Sequence, residues 1–157
     1  MILVTGATGF IGSHLLCHLA EKDIFPVAMF RHESNKSKVW RRFKSQFDDA
    51  QKRYDKIVWR KADFRDLPSL DAAFNDIDYV YHCAGYISLA QSDVKKLIEI
   101  NEKGSTYLVD LCLSHSVKKL VYVSSIAALG NDPSLPVTDE NTPWDNCTDK
   151  NPYAYSK

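Results

Sequence analysis

A tyrosine followed four residues later by a lysine, Tyr153 and Lys157, closes this 157-residue chain. An isolated phenol titrates at about 10, too high for a proton shuttle at neutral pH. A lysine at i+4 shares the tyrosine's helix face, and its positive charge favours the phenolate. Such a pair could pass a proton to or from a carbonyl oxygen. Ser124 and Ser125 end an apolar run, and a serine placed there could donate to the same oxygen as charge develops. Near the start, Thr5-Gly6-Ala7-Thr8-Gly9-Phe10-Ile11-Gly12 spaces three glycines by three. Gly6 permits a tight turn, Gly9 lets backbone approach a pyrophosphate, and Gly12 lets a helix pack closely on a strand. Free amides and the positive end of a helix dipole would face the phosphates. A P-loop is excluded because no Gly-Lys-Ser/Thr follows. Arg31 lies nineteen residues after Gly12. An NAD site usually has an acid there, on the ribose 2′-hydroxyl, whereas an arginine suits a 2′-phosphate. NADP is therefore preferred, with Lys36 and Lys38 able to assist, while Glu33 keeps NAD as the alternative.

These groups need elements to hold them. Residues 2–5, 25–30, 57–59, 79–82 and 120–124 are short apolar runs and read as strands. Residues 10–22, 70–74 and 94–113 have helical spacing, with Ile11, Leu15, Leu16, Leu19 and Ala20 on the first. Short apolar strands alternating with helices indicate a parallel sheet covered on both faces. Right-handed crossovers make that a doubly wound α/β sheet of the Rossmann type, strand order 3-2-1-4-5. Val39, Trp40, Phe43 and Phe47 lie at helical spacing opposite Lys38, Arg41, Arg42 and Lys44. That reads as an amphipathic surface helix with its aromatic stripe on the body rather than a nucleic-acid face. Residues 130–152 are rich in proline and read as a long loop, the length at which loops tend to be functional.

Composition narrows the classes. Twenty Lys+Arg balance twenty Asp+Glu, so the net charge is zero with histidine neutral. That argues against bulk affinity for nucleic acid or anionic membrane. No apolar run approaches the roughly 18 residues needed to span a bilayer. The apolar start lacks a basic n-region, so it does not read as a secretion signal, and a cytoplasmic chain is expected. Cys17, Cys83, Cys112 and Cys147 are far apart, which suits reduced thiols rather than disulfides or zinc. His14, Cys17 and His18 could share a helix side, but ordinary side chains and no metal are expected there.

The phosphate loop, Asp63-Phe64, His82-Cys83-Ala84-Gly85, Asn101, Ser124-Ser125 and Tyr153-Ala154-Tyr155-Ser156-Lys157 occur in this order. Together they resemble the extended short-chain dehydrogenase/reductase family over the whole chain. The branch most similar is that of dihydroflavonol reductases and 3β-hydroxysteroid dehydrogenases. The resemblance implies that Gly6, Thr8, Gly9, Phe10, Ile11 and Gly12 hold the pyrophosphate and that Asp63 and Phe64 hold the adenine. It implies that Cys83, Ala84 and Gly85 line the ribose side. Asn101 matches an Asn-x-x-Gly-Thr segment, with Ser105 for the threonine. In the family pattern a glycine follows the catalytic serine by five places, as Gly130 follows Ser125. The implied catalytic set is Ser125, Tyr153 and Lys157, with Ser124, Tyr153 and Lys157 also near the cofactor.

The implied activity is hydride transfer between NADP or NAD and a small carbonyl or alcohol substrate. Ser125-Ile126-Ala127-Ala128-Leu129-Gly130 is similar to the reductase branch. Sugar epimerases usually read Ser-x-x-Val-Tyr-Gly, so epimerase or dehydratase is the alternative. A dinucleotide sensor without turnover is a second alternative, disfavoured because tyrosine and lysine are both present. Relatives often dimerise through the helix corresponding to 94–113. The chain stops on Lys157, within the first turns of its helix. It is therefore expected to be the dinucleotide-binding portion, 1–157, of a longer enzyme whose substrate lobe is absent, weakly active or inactive alone.

Overall fold

The computed structural model describes residues 1–129, 137–142 and 151–157. Gly130, Cys147 and most of the loop at 130–152 lie outside the described residues. The described chain forms two compact units, residues 1–85 with 106–123, and residues 86–105 with 124–157.

The first unit is a five-stranded parallel sheet. Its strands are β1 (Ile2–Thr5), β2 (Val27–Phe30), β3 (Val58–Lys61), β4 (Tyr79–His82) and β5 (Lys119–Tyr122), in the order β3-β2-β1-β4-β5. Val4 pairs with both Ala28 and Tyr81, so β1 lies at the centre of the sheet. Chain order reverses at β1, where β2 lies on one side and β4 on the other. In open parallel sheets ligands bind at such a switch point, in the crevice at the carboxyl ends of the strands, here where Thr5 pairs with His82.

Each sheet face has its own core. On one, α1 (Phe10–Glu21), α2 (Lys36–Gln46) and α3 (Ala50–Tyr54) bring Leu16, Cys17, Val39 and Phe43 against Val4 and Ala28. Val39 and Phe43 are fully buried and Trp40 stacks edgewise on Tyr54, so the aromatic stripe of α2 faces the body. Cys17 is buried there, and burial pushes its thiol up to about 11, while His14 and His18 point outward. On the other face, α4 (Leu67–Ala72) and α6 (Gly104–Ser114) bring Leu70, Phe74, Leu108 and Cys112 against Leu3, Val27 and Val80. Asp66 caps α4 by accepting from the Ser69 amide at 3.4 Å, with proline in the first turn.

The second unit contains the loop from Tyr86, α5 (Val94–Leu97), a π-helical stretch (Ile98–Lys103), a 3-10 turn (Ile126–Ala128) and α7 (Pro152–Tyr155). The segment 94–113, expected as one helix, is therefore interrupted by the π-helical stretch, an arrangement that often marks functional sites. α7 starts as its sequence dictates. Asn151 accepts from the Ala154 amide at 3.0 Å, and Pro152 fills the position where a missing amide costs nothing. α7 packs on α5 and on the 126–128 turn.

Candidate functional site

In the first unit the glycine loop is shaped by its neighbours. Gly6 has φ +61°, and a Cβ there would come within 2.5 Å of the Ala84 nitrogen. A Cβ on Gly12 would strike the Gly6 carbonyl oxygen. Glycine is therefore required at both, where the loop meets the Cys83-Ala84 backbone and where α1 meets the loop. A Cβ on Gly9 would meet only the Gly6 oxygen, at 3.1 Å, so the space beyond Gly9 is open. Gly9 also serves as the N-cap of α1, with no side-chain cap and no acidic residue in the first turn. The leading amides of α1 thus lack an intrahelical acceptor and a side-chain substitute, beside open space. A pyrophosphate fits that arrangement. Phe10 and Ile11 are exposed there, and Thr8 is half-buried.

Beneath the loop lies a buried polar pair that sequence reading missed. Thr5 Oγ1 accepts from the Ala84 amide at 3.3 Å and lies 2.7 Å from His82 Nδ1. The histidine tautomer sets which of the two donates. Both side chains are buried, His82 stacking on Tyr122 and tilted against Phe64. Thr5 and His82 fasten the β1 and β4 ends that flank the crevice. Their signal in the sequence is two polar residues, each ending an otherwise apolar strand.

The other expected dinucleotide residues are spread around this end of the sheet. Asp63 is half-buried and its carboxylate is held by Arg65, at 2.9 and 3.2 Å to the guanidinium and 3.0 Å to the amide. The Arg65 hydrogen bond holds the Asp63 carboxyl below its ordinary range against partial burial. The Phe64 ring belongs to the core, which leaves its backbone as what it can present. Cys83 is half-buried, its thiol raised by burial, and Gly85 is exposed. Arg31 is exposed at the end of β2 and makes no ion pair or side-chain hydrogen bond among the described residues. Glu33 is engaged by Lys36 at 2.7 Å, and the Lys36 ammonium sits 3.9 Å from the Phe30 ring centroid.

In the second unit Ser125 caps the 126–128 turn by accepting from the Ala127 amide at 3.2 Å. Capping uses a lone pair, so its hydroxyl hydrogen stays available for donation. Ser124 is exposed. Tyr153 lies in α7, which packs on that turn; the residue is half-buried and its side chain makes no hydrogen bond among the described residues. Lys157 follows α7, its amide bonded to the Ala154 carbonyl. Asn101 is buried in the π-helical stretch with both ends of its side-chain amide engaged. Its Oδ1 accepts from the Tyr86 amide at 2.7 Å, and its Nδ2 donates to the Tyr86 carbonyl at 2.8 Å and to Ser156 Oγ at 2.9 Å. Ser156, also buried, donates to the Tyr153 carbonyl at 2.8 Å. Asn101 therefore ties the 86 loop to α7, between Tyr153 and Lys157. Ser156 was not anticipated from the sequence.

Comparison with known proteins shows the family and the fold. The chain is 31% identical over 165 residues to UDP-glucose 4-epimerase of Mus musculus, covering 99% of this chain and 45% of that protein. A solved UDP-glucose-4-epimerase from Stenotrophomonas maltophila with bound NAD and formylated UDP-arabinopyranose is 27% identical with TM-score 0.77, over 99% of this chain and 45% of that one. The Bifidobacterium longum enzyme with NAD+ and UDP is 28% identical with TM-score 0.73, over the same shares of 99% and 45%. The chain spans about half the length of the curated relatives it matches. Residues 2–157 match the NAD dependent epimerase/dehydratase family, and the chain belongs to that family and to the extended short-chain dehydrogenase/reductase superfamily.

Proposed function

We propose that this chain contributes the dinucleotide site and the proton-transfer groups of an enzyme that interconverts a secondary alcohol and a ketone. The observation carrying the proposal is Ser125. Its hydroxyl accepts one cap bond and keeps its hydrogen, on a turn against which the Tyr153 helix packs. The bound nicotinamide would supply reversible hydride acceptance. The chain's own residues supply the rest. The α1 amides and the open space beyond Gly9 suit the pyrophosphate. Ser125 would donate to the substrate oxygen and hold it. Tyr153 would take the alcohol proton in one direction and return it in the other. Asn101 and Ser156 would hold α7 so that Tyr153 and Lys157 are presented together.

Two fates of the ketone divide the readings. Release makes the protein a reductase or dehydrogenase, supported by the apolar Ile126-Ala127-Ala128-Leu129 segment after Ser125. Re-reduction on the opposite face makes it an epimerase, supported by the UDP-glucose 4-epimerases among its relatives. For the cofactor, relatives with bound NAD support a nicotinamide dinucleotide. A preference for NADP rests on Arg31 standing beside a Glu33 already engaged by Lys36.

The test is a Tyr153→Phe substitution, with cofactor binding and alcohol oxidation both followed by nicotinamide fluorescence. The variant should bind cofactor with unchanged affinity and lose turnover by about a hundredfold or more. Undiminished turnover would overturn the assignment.

A further inference from the structure

Arg31 stands among charges at one end of the sheet. The Ala62 amide donates to the Phe30 carbonyl at 3.0 Å, so Arg31 and Asp63 each lie one residue beyond that bond, at the ends of the adjacent strands β2 and β3. The Arg65 hydrogen bond holds the Asp63 carboxyl low, partial burial opposes it, and the charge of Arg31 adds a smaller downward pull. Arg31 is therefore within electrostatic reach of Asp63. A second acid, Glu33, comes two residues after Arg31, in the 3-10 turn Glu33–Asn35 that leads into α2. Either carboxylate could neutralise the guanidinium.

Each of them is already engaged by another cation. Arg65 takes both oxygens of Asp63, its Nε 3.2 Å from Oδ1 and its Nη2 2.9 Å from Oδ2, while its amide donates to Oδ1 at 3.0 Å. That fork is the strong form of a carboxylate pair. The Lys36 ammonium lies 2.7 Å from Glu33 Oε1. It also sits over two rings, 3.9 Å from the Phe30 centroid and 5.2 Å from that of Trp59. The Lys36 side chain is 21% exposed and that of Glu33 74%, so the lysine is anchored on the body and draws the glutamate to it. Arg31, in contrast, is exposed and makes no ion pair or side-chain hydrogen bond among the described residues.

A 2′-phosphate competes with carboxylates for a guanidinium. A carboxylate released beside Arg31 would pair with it and would also repel the phosphate. A 2′-hydroxyl carries no charge to repel, and it gains an acceptor in a free carboxylate.

We propose that Lys36 and Arg65 are specificity-determining residues that, by occupying Glu33 and Asp63, keep the Arg31 guanidinium for a 2′-phosphate. They act through the two acids and need not touch the cofactor. The proposal rests on the nicotinamide dinucleotide reading above.

The experiment titrates NADPH and NADH by nicotinamide fluorescence and reads the ratio of the two Kd values. Lys36→Met and Arg65→Met should each weaken NADPH binding by about three- to tenfold, with NADH unchanged or tighter. Lys36→Arg keeps the charge and should keep the ratio. Adding Glu33→Gln to Lys36→Met, or Asp63→Asn to Arg65→Met, removes the competing charge and should return the ratio to within about twofold of wild type. Any loss of adenine contact in Asp63→Asn is common to both cofactors and cancels in the ratio. An unchanged ratio in either single Met variant overturns the proposal. So does an equal loss of both cofactors, the mark of a merely structural role, and so do paired variants whose ratio stays shifted. Failure of the underlying reading is separate and shows as wild type that binds neither cofactor, or as Arg31→Ala with unaltered NADPH affinity.

Discussion

Arg31 carries the residue-scale question of cofactor choice. It ends β2 beside the crevice, exposed, while Glu33, the acid that would suit a ribose hydroxyl, is held by Lys36 at 2.7 Å. A guanidinium pairs with a 2′-phosphate by parallel charge-assisted bonds that a 2′-hydroxyl cannot offer. Arg31→Ala should weaken NADPH binding by about tenfold or more and leave NADH binding nearly unchanged, read by fluorescence titration. Tighter NADH than NADPH binding in wild type, or unaltered NADPH affinity in the variant, would remove the preference. The candidate residues of the site were legible because their chemistry is tied to spacing, as with Gly6, Gly9 and Gly12 or Tyr153 and Lys157. What holds those residues was not legible. Asn101 to Ser156 spans 55 positions and Thr5 to His82 spans 77, and no local pattern announces such pairs. The Arg65 grip on Asp63 was equally hidden, because an arginine two residues from an acid is commonplace until its side chain is seen to fold back.

At the scale of elements, the apolar runs match the limits of β1 and β4, while other elements differ from theirs by one to three residues. The differences have physical sources. Residues 25–26 are apolar and proline, but proline has no amide to give a sheet ladder, and pairing starts at Val27. The helix over 94–113 was read from apolar spacing, which does not reveal a local change from four- to five-residue hydrogen bonding at Ile98–Lys103. The amino ends of β1, β4 and β5 share another device. Asp78 precedes β4, and its carboxylate bonds the Lys118 ammonium at 2.7 Å, just before β5, and the Met1 ammonium, just before β1. The Lys118 hydrogen bond, then that of the amino terminus, lowers the Asp78 carboxyl to about 2. Because the folded value is depressed, this stabilisation is complete above the unfolded value of about 3.9. It is lost as pH falls through about 2. Melting temperature should therefore drop between those limits, and Asp78→Asn should flatten that part of the profile. An identical profile in the variant would show that other carboxylates carry the acid transition.

The whole molecule is uneven in what stabilises it. Both hydrophobic clusters lie in the first unit, with Leu3, Val27, Phe74 and Val80 on one sheet face and Val4, Leu16 and Phe43 on the other. In the second unit the buried apolar side chains among the described residues are Leu97 and Ala154, and the buried polar ones are Asn101, Thr142 and Ser156. Burial of apolar area gives the larger return, about 25 cal/mol per Å², whereas an internal hydrogen bond nets about 1 kcal/mol. The second unit should open more readily, as loops that admit substrate commonly do. Amides of β1 to β5 should then exchange with solvent far more slowly than those of residues 86–105 and 124–129. Asn101→Ala removes three hydrogen bonds and leaves the Tyr86 amide without its acceptor. It should speed exchange across the second unit by about tenfold or more, for a loss of about 1–3 kcal/mol per orphaned group. The β1 to β4 amides should not change. Uniform acceleration in both units would mean that they unfold as one body and that the polar clamp supports the sheet as much as the 126–128 turn.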